Sequence, residues 1–134
     1  MLIFDPIRKK HVTLTPEEGV RQNLINYLVK EKGYPLPLIS VEFPLKYARL
    51  NKRSDLLVSD NNGRPVLLIE CKAPDVSITN KVFEQISIYN QSIKAPYLLV
   101  TNGINNYFMK SPTENSPLIF FSEIPDYSAL IICE

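Results

Sequence analysis

The stretch SDLLVSDNNGRPVLLIECK, residues 54–72, decides the fold. Two largely apolar runs, 54–59 and 65–71, flank Asp60-Asn61-Asn62-Gly63, whose residue types are typical of a turn. Strand-length apolar runs on either side of such a turn predict a β-hairpin. We therefore expect two neighbouring antiparallel strands here.

Three charged residues of this hairpin form the candidate site. Glu70 and Lys72 are two positions apart, so the period of a strand places both on one face. A four-residue loop, 61–64, would put Asp60 opposite Pro65 and Asp55 directly opposite Glu70. A two-residue loop would pair Asp55 with Leu68, diagonal to Glu70 and on its face. A slip of one residue would move Asp55 to the other face, so the site requires one parity of the hairpin.

The chemistry that these residues favour is metal-assisted hydrolysis. Two carboxylates a few ångströms apart repel, and a divalent cation between them relieves the repulsion. Mg²⁺ takes oxygen ligands, which Asp55, Glu70 and the backbone carbonyl of Cys71 can supply, and Mn²⁺ is the expected substitute. Such a cation activates water and stabilises charge on a phosphoryl oxygen. Lys72 would position or deprotonate the water, or neutralise the oxyanion, and the sequence leaves these roles open.

A helix is predicted over residues 15–32. Thr15 is the expected N-cap, Pro16 suits the first helical position and Glu18 closes a capping box. Glu18 has a second interpretation, as a ligand for the metal or its water. Arg21, three residues further on, is either a phosphate contact or a charge on the helix surface.

A second helix, over 75–92, has an apolar stripe with one polar member. Ile78, Val82, Gln85 and Tyr89 recur at helical spacing, and a polar residue on such a stripe needs partners. Gln85 and Tyr89 would point at the sheet end near Glu70, where they could hold a phosphate or orient the lysine. Alternatively, Gln85 sits at the edge of the stripe and reaches water.

The order of elements predicts one α/β (α+β) domain over residues 1–134, with a mixed sheet flanked by helices. The crossover from strand 65–71 through the second helix should be right-handed, which makes strand 97–101 parallel to it. The remaining predicted strands are 38–43, 106–110 and 117–121.

Composition excludes several classes of site. The single histidine, His11, argues against Ser-His-Asp, Cys-His and HExxH chemistry. Cys71 and Cys133 form no CxxC pair, which argues against zinc. No apolar run approaches the roughly 20 residues that span a bilayer, and no secretory signal is visible. We therefore expect a cytoplasmic protein without a membrane partner.

The net charge of +1 neither requires nor excludes nucleic acid. One stretch before the hairpin is basic and contains no acid, with Lys46, Arg49, Lys52 and Arg53 within eight residues. Arg49, Lys52 and Arg53 are candidate DNA contacts. The alternative is an ordinary solvated loop.

Taken together, these motifs give a family resemblance that covers the chain to about residue 125. The segments 5–10 and 15–22 resemble the start of the N-terminal nuclease domain of type I restriction enzyme R subunits, a branch of the PD-(D/E)xK superfamily. Ser54-Asp55 stands where the superfamily has Pro-Asp, Glu70-Cys71-Lys72 matches the ExK element, and Gln85 with Tyr89 matches QxxxY.

The resemblance implies a restriction-endonuclease-like fold and a magnesium-dependent DNA endonuclease. In that family Asp55 and Glu70 would bind the metal, Lys72 would be catalytic, and Gln85 with Tyr89 would support the site. Glu18 matches an acidic position on the family's first helix. Ser54 departs from the motif proline.

A chain of 134 residues cannot hold the helicase motor of an R subunit. A free-standing nuclease, a homodimer, a subunit of a restriction-type assembly and a fragment all remain open. Two further interpretations also remain: a catalytically silent module that binds DNA or a partner protein, and a structural domain whose Glu-Lys pair lies on the surface by chance.

Overall fold

A computed structural model of the protein describes residues 1–41, 56–112 and 117–131. Its elements, in chain order, are β1 (Leu2–Asp5), β2 (Lys10–Thr13), α1 (Pro16–Glu31), a 3₁₀ turn (Leu36–Leu38), β3 (Ile39–Ser40), β4 (Leu56–Ser59), β5 (Pro65–Cys71), α2 (Asn80–Ile93), β6 (Tyr97–Thr101), β7 (Asn106–Lys110), β8 (Ile119–Phe121) and α3 (Tyr127–Ile131). Within these ranges no helix has the length and apolar character needed to cross a membrane.

The central feature is a six-stranded sheet in the order β3-β4-β5-β6-β7-β8. Strands β5 and β6 pair in parallel, from Leu67 opposite Tyr97 to Cys71 opposite Thr101, and the other neighbours pair antiparallel. The predicted parallel crossover through α2 and the mixed α/β fold are therefore confirmed. Strands β1 and β2 form a separate hairpin.

Two apolar cores cover the two faces of the sheet. On one face, Ile69 of β5 packs in a cluster with Leu28 of α1. On the other, Leu68 packs in a cluster with Ile86 of α2 and Leu98 of β6. Because successive strand residues point to opposite faces, an almost uniformly apolar β5 can serve both cores at once.

Helix α1 begins as the sequence predicts. Thr15 is the N-cap residue, and its hydroxyl accepts the backbone N–H of Glu18 at 3.1 Å. The helix ends at Glu31, and Gly33, two residues later, has a φ of +71°, a left-handed conformation that glycine adopts without strain. The predicted helix over 15–32 is confirmed.

Helix α2 begins five residues later than predicted, at Asn80 in place of Asp75. The backbone N–H of Val76 donates to the carbonyl of Ala73 at 3.0 Å, which closes a turn. The Val76 carbonyl accepts the side-chain amide of Asn102 at 2.9 Å. This contact with the segment that follows β6 accompanies the turn at Val76, which lies before the first residue of the helix.

Candidate active site

The register of the β4–β5 hairpin determines the geometry of the candidate site. Leu56, Leu57 and Val58 face Ile69, Leu68 and Leu67 in that order, and Ser59 faces Pro65 after a shift in register. The shift leaves Val66 as one extra residue on β5, which is a β-bulge. Val66 and Leu67, although adjacent in sequence, both belong to the α1-side core.

The bulge shifts the pairing of β4 and β5 by one residue, into the register that the candidate site requires. The prediction that Asp60 faces Pro65 is wrong, because Ser59 occupies that position. Without the bulge, the pairing of Ser59 with Pro65 would continue to Leu56 opposite Leu68. The residue before Leu56 would then lie on the face of the sheet opposite to Glu70. With it, the register from Val58 to Leu56 is the one predicted for the four-residue loop. Asp55 lies outside the described residues, so its own position is not part of this result.

Asp60 holds the turn together. The side chain is buried, and Oδ1 accepts the backbone N–H of Asn62 at 2.8 Å and that of Arg64 at 2.9 Å. The Nε–H of Arg64 donates to Oδ2 at 3.0 Å. This network fixes the pairing of Ser59 with Pro65, from which the rest of the register follows.

Glu70 is a buried carboxylate on an interior strand. Its side chain is 1% exposed. It pairs with Val100 and lies two residues after Leu68, so it belongs to the face of the sheet that α2 covers. The interpretation of Glu70 as one half of a surface Glu-Lys pair on a strand edge is therefore wrong.

Lys72 lies beside it at the carboxyl end of β5. Its Nζ is 4.0 Å from Oε2 of Glu70, and its side chain is 18% exposed. Its backbone N–H donates to the carbonyl of Thr101 at 2.8 Å, which ties this end of β5 to the end of β6. The structure thus brings a buried carboxylate and a partly exposed ammonium group together, as the strand period predicts.

The polar member of the buried stripe of α2 is Asn90, not Gln85. Gln85 is exposed and Tyr89 is partly buried against the α2-side core. The interpretation of Gln85 as a polar group within the apolar stripe is therefore wrong, and its placement at the edge of the stripe is favoured. Whether Gln85 and Tyr89, one turn apart on α2, support catalysis stays a prediction.

Asn90 is a structural residue that the sequence analysis missed. Its side-chain amide donates to the carbonyl of Ala95 and accepts the N–H of the same residue, both at 2.8 Å. These bonds fix the connection from α2 into β6. The signal that could have found it is its spacing from Val82 and Ile86, since the three share one helix face at i, i+4 and i+8.

Glu18 and Arg21 belong to a buried ionic cluster. Arg21 is fully buried and pairs with Glu18, and its Nη1 is 3.7 Å from Oδ2 of Asp5. Arg8 binds Asp5 and donates to Oε1 of Glu18 at 3.1 Å. The side-chain amide of Gln22 donates to Oε2 of Glu18 at 2.9 Å.

The ion pairs of this cluster bear on two predictions. Two carboxylates and two guanidinium groups balance in charge, so the neighbours of Glu18 favour a structural role over that of a metal ligand. The Glu18 carboxylate contacts Arg8, Arg21 and Gln22, while its backbone N–H makes the Thr15 half of the predicted capping box. Arg21 has no exposed surface, so it cannot contact a phosphate unless the cluster opens.

The other predicted site residues divide into two groups. The Cys71 side chain is buried in the α1-side core, and its backbone carbonyl stays a predicted ligand. Asp55, Arg49, Lys52 and Arg53 lie outside the described residues. Residues 1–41, 56–112 and 117–131 contain no group of three His, Cys, Asp or Glu side chains that could hold a metal ion.

Asp5 is the second residue that the sequence analysis missed. It ends β1, and its Oδ1 accepts the N–H of Ile7 at 2.9 Å. The Asp5-Pro6 pair is a turn signal that could have located it.

Comparison with known proteins identifies the family. A family model described as the type I restriction enzyme R protein N terminus matches residues 16–125. No curated protein and no solved structure matches the chain. The match spans α1, the β4–β5 hairpin with Glu70 and Lys72, α2 and the strands that follow. The chain therefore belongs to the family of the type I restriction enzyme R protein N terminus.

Proposed function

We propose that this protein is a magnesium-dependent DNA endonuclease of a restriction-modification system, with Asp55, Glu70 and Lys72 as its catalytic centre. The observation that carries the proposal is the buried carboxylate of Glu70, with the ammonium group of Lys72 4.0 Å away, at the end of β5. Family membership supports a nuclease role and DNA as the partner. The proposal includes a cytoplasmic location and leaves open a restriction-type assembly or a homodimer.

The burial of Glu70 calls for a compensating positive charge, because the loss of hydration makes a buried carboxylate costly. The Lys72 ammonium group, 4.0 Å from Oε2, supplies one, and a metal cation would supply a second. An apolar residue such as Leu68, two positions earlier on the same face, would fill this place at lower cost.

The donor set suits magnesium. Carboxylate oxygens of Glu70 and Asp55 and the carbonyl oxygen of Cys71 are the hard ligands that this ion prefers, and Mn²⁺ could replace it. The proposal requires the register of Leu56 opposite Ile69 to continue by one residue, to Asp55 opposite Glu70. When bound, magnesium would activate water and stabilise charge on the phosphate.

The protein's own residues then have separate roles. The Lys72 ammonium group, partly exposed beside Glu70, neutralises charge that develops on the attacked phosphate or positions the water. Gln85 and Tyr89 of α2 support the site. Arg49, Lys52 and Arg53 bind backbone phosphates, a contribution that weakens as salt rises.

Plasmid nicking tests the proposal. Wild-type protein should convert supercoiled plasmid to nicked circles in Mg²⁺ or Mn²⁺, and EDTA should stop the reaction. Lys72→Ala should reduce the rate by about 10²- to 10³-fold, the usual effect of removing one group that stabilises charge in the transition state. Lys30→Ala, which removes an exposed lysine from the end of α1, is the matched control.

Thermal unfolding of both variants should show that each is folded. Equal nicking by Lys72→Ala and wild type would refute the proposal. DNA binding with no metal-dependent cleavage by wild type would support a catalytically silent module in its place.

A further inference from the structure

A groove of about 750 Å³ opens beside the candidate site. Its walls are α1, the turn between β6 and β7, and residues 121–124, which begin at the end of β8. It therefore lies on the α1 side of the sheet, whereas Glu70 faces α2. Its volume falls within the range of pockets that bind small organic groups.

The groove has a partly apolar lining, to which aromatic, amide and hydroxyl side chains and one carboxylate are added. Tyr27 and Phe121 contribute rings that are 41% and 38% exposed. Asn23 lies one helical turn before Tyr27, so both side chains share a helix face. Asn105 adds a second amide and Glu123 a carboxylate, while no Lys or Arg lines the groove in the described part of the chain.

This chemistry selects an uncharged ring over a phosphate. A phosphate needs cations or clustered N–H donors, and Glu123, the one charged group among the described residues that line the groove, would repel it. A planar heteroaromatic ring can stack on a tyrosine and exchange hydrogen bonds with amides. Exocyclic amino groups of a base can donate to a carboxylate. The groove is therefore complementary to a nucleobase.

The groove also reaches the end of the sheet at which the candidate site lies. Pro74 and Thr101 line it. The Thr101 carbonyl accepts the backbone N–H of Lys72 at 2.8 Å, and Pro74 follows Lys72 by two residues. A nucleic-acid strand that passes around this end of the sheet from Lys72 would bring a neighbouring base to the groove.

We propose that this groove binds an unpaired nucleobase adjacent to the phosphate that is cut. The proposal rests on the nuclease function proposed above and specifies its substrate class, DNA with a single-stranded or flipped-out nucleotide at the cut. A paired base in a duplex is held in the stack and must be extruded before it can enter a pocket.

Binding of single-stranded oligonucleotides tests this inference. Lys72→Ala protein in MgCl₂ is titrated, by fluorescence anisotropy, with a labelled oligodeoxynucleotide and with an abasic oligomer of the same length. The oligomer with bases should bind more tightly. Adding Tyr27→Ala should weaken its binding roughly tenfold, the order expected for one lost stacking contact. Binding of the abasic oligomer should not change.

Phe4→Ala is the matched control, since Phe4 is an exposed aromatic residue of the β1–β2 hairpin that does not line the groove. It should bind both oligomers as the Lys72→Ala parent does. Equal binding of the two oligomers by the parent, an equal effect of Tyr27→Ala on both, or no binding of either would overturn the inference and leave the groove to another class of ligand, such as a peptide.

The two proposals fail separately. Loss of base-dependent binding in this assay, with nicking of plasmid that still depends on Lys72, would remove the base site alone. Base-dependent binding that requires Tyr27, together with plasmid nicking that does not require Lys72, would remove the proposed catalytic centre and leave the groove as a nucleic-acid site.

Discussion

At the residue scale, Glu18 shows how neighbours decide between two roles that the sequence allows. Its carboxylate lies between the guanidinium groups of Arg8 and Arg21, and Arg21 is completely buried. Removing one partner of a buried ion pair leaves the other charge without compensation in a medium of low polarity. The charge of Glu18 is therefore needed for the fold, with or without a metal.

Glu18→Ala should lower the free energy of unfolding by roughly 3 kcal/mol or more, because Arg21 stays buried while it loses its closest carboxylate. Urea denaturation in EDTA measures this effect in the absence of metal. Glu17→Ala, at the neighbouring position in the first turn of α1, is the control and should change stability far less. A Glu18→Ala protein of wild-type stability that had lost metal binding would restore the ligand role.

Asp5 makes the same cluster sensitive to acid. Burial raises the pKa of Asp5, but hydrogen bonds from the Arg8 side chain and the Ile7 N–H together lower it by more. The pKa of Asp5 is therefore below its ordinary value of 3.8. A carboxyl group whose pKa is lower in the folded state stabilises the protein above its unfolded-state pKa. That stability is lost as the pH falls through the folded-state pKa.

Asp5→Asn should therefore be less stable than wild type at pH 7, with a difference that shrinks below about pH 4. Urea unfolding midpoints at pH 7, 5, 4 and 3 give the comparison. Asp75→Asn, at an exposed turn position, is the matched control. A difference between Asp5→Asn and wild type that stayed constant over this range would show that the charge of Asp5 contributes nothing to the cluster.

At the scale of elements, the β4–β5 hairpin depends on the buried Asp60 turn. Asp60→Ala would leave the N–H groups of Asn62 and Arg64 without their acceptor and should cost about 1–3 kcal/mol of stability. Asn61→Ala, an exposed neighbour in the same turn, should be nearly neutral. Thermal or urea unfolding of the two variants measures this difference. Equal stabilities would show that Asp60 does not stabilise the turn that sets the strand register.

The hairpin also shows what the sequence can and cannot predict. Turn residues between two apolar runs predict that the strands pair, and they do. The bulge at Val66 could not be predicted, because a run of apolar residues suits either face of a sheet that is buried on both sides. The sequence therefore allowed two registers of β4 against β5, which place opposite sets of β4 side chains on the face of Glu70. The structure shows which register Leu56–Val58 adopts.

The late start of α2 was unpredictable for a different reason. Its local sequence suits an earlier start, but the Val76 carbonyl is bound by Asn102, which is 26 residues away. The ionic cluster on α1 likewise depends on Asp5 and Arg8, which the β1–β2 hairpin brings to the helix. Contacts between residues distant in sequence leave no periodic pattern to detect. Glu70 and Lys72, by contrast, are two residues apart on one strand, a spacing that can be recognised in the sequence.

At the scale of the whole molecule, the packed unit is larger than the family match over 16–125. Before the match, β1 contributes Asp5 to the cluster on α1. After it, Tyr127 of α3 donates its hydroxyl to the carbonyl of Ser59 at 3.0 Å and its backbone N–H to the carbonyl of Lys32 at 3.0 Å. Helix α3 thereby joins the ends of α1 and β4 and supports the strand that leads back to Asp55.

The central claim is that the strands of this sheet hold one cation between Asp55 and Glu70, beside Lys72. A crystal structure with Mn²⁺, located by its anomalous scattering, tests it most directly. We predict a single peak about 2 Å from carboxylate oxygens of both acids, with Lys72 on the same face of the sheet. An Asp55 carboxylate on the opposite face, or a manganese ion bound away from Glu70, would contradict the claim.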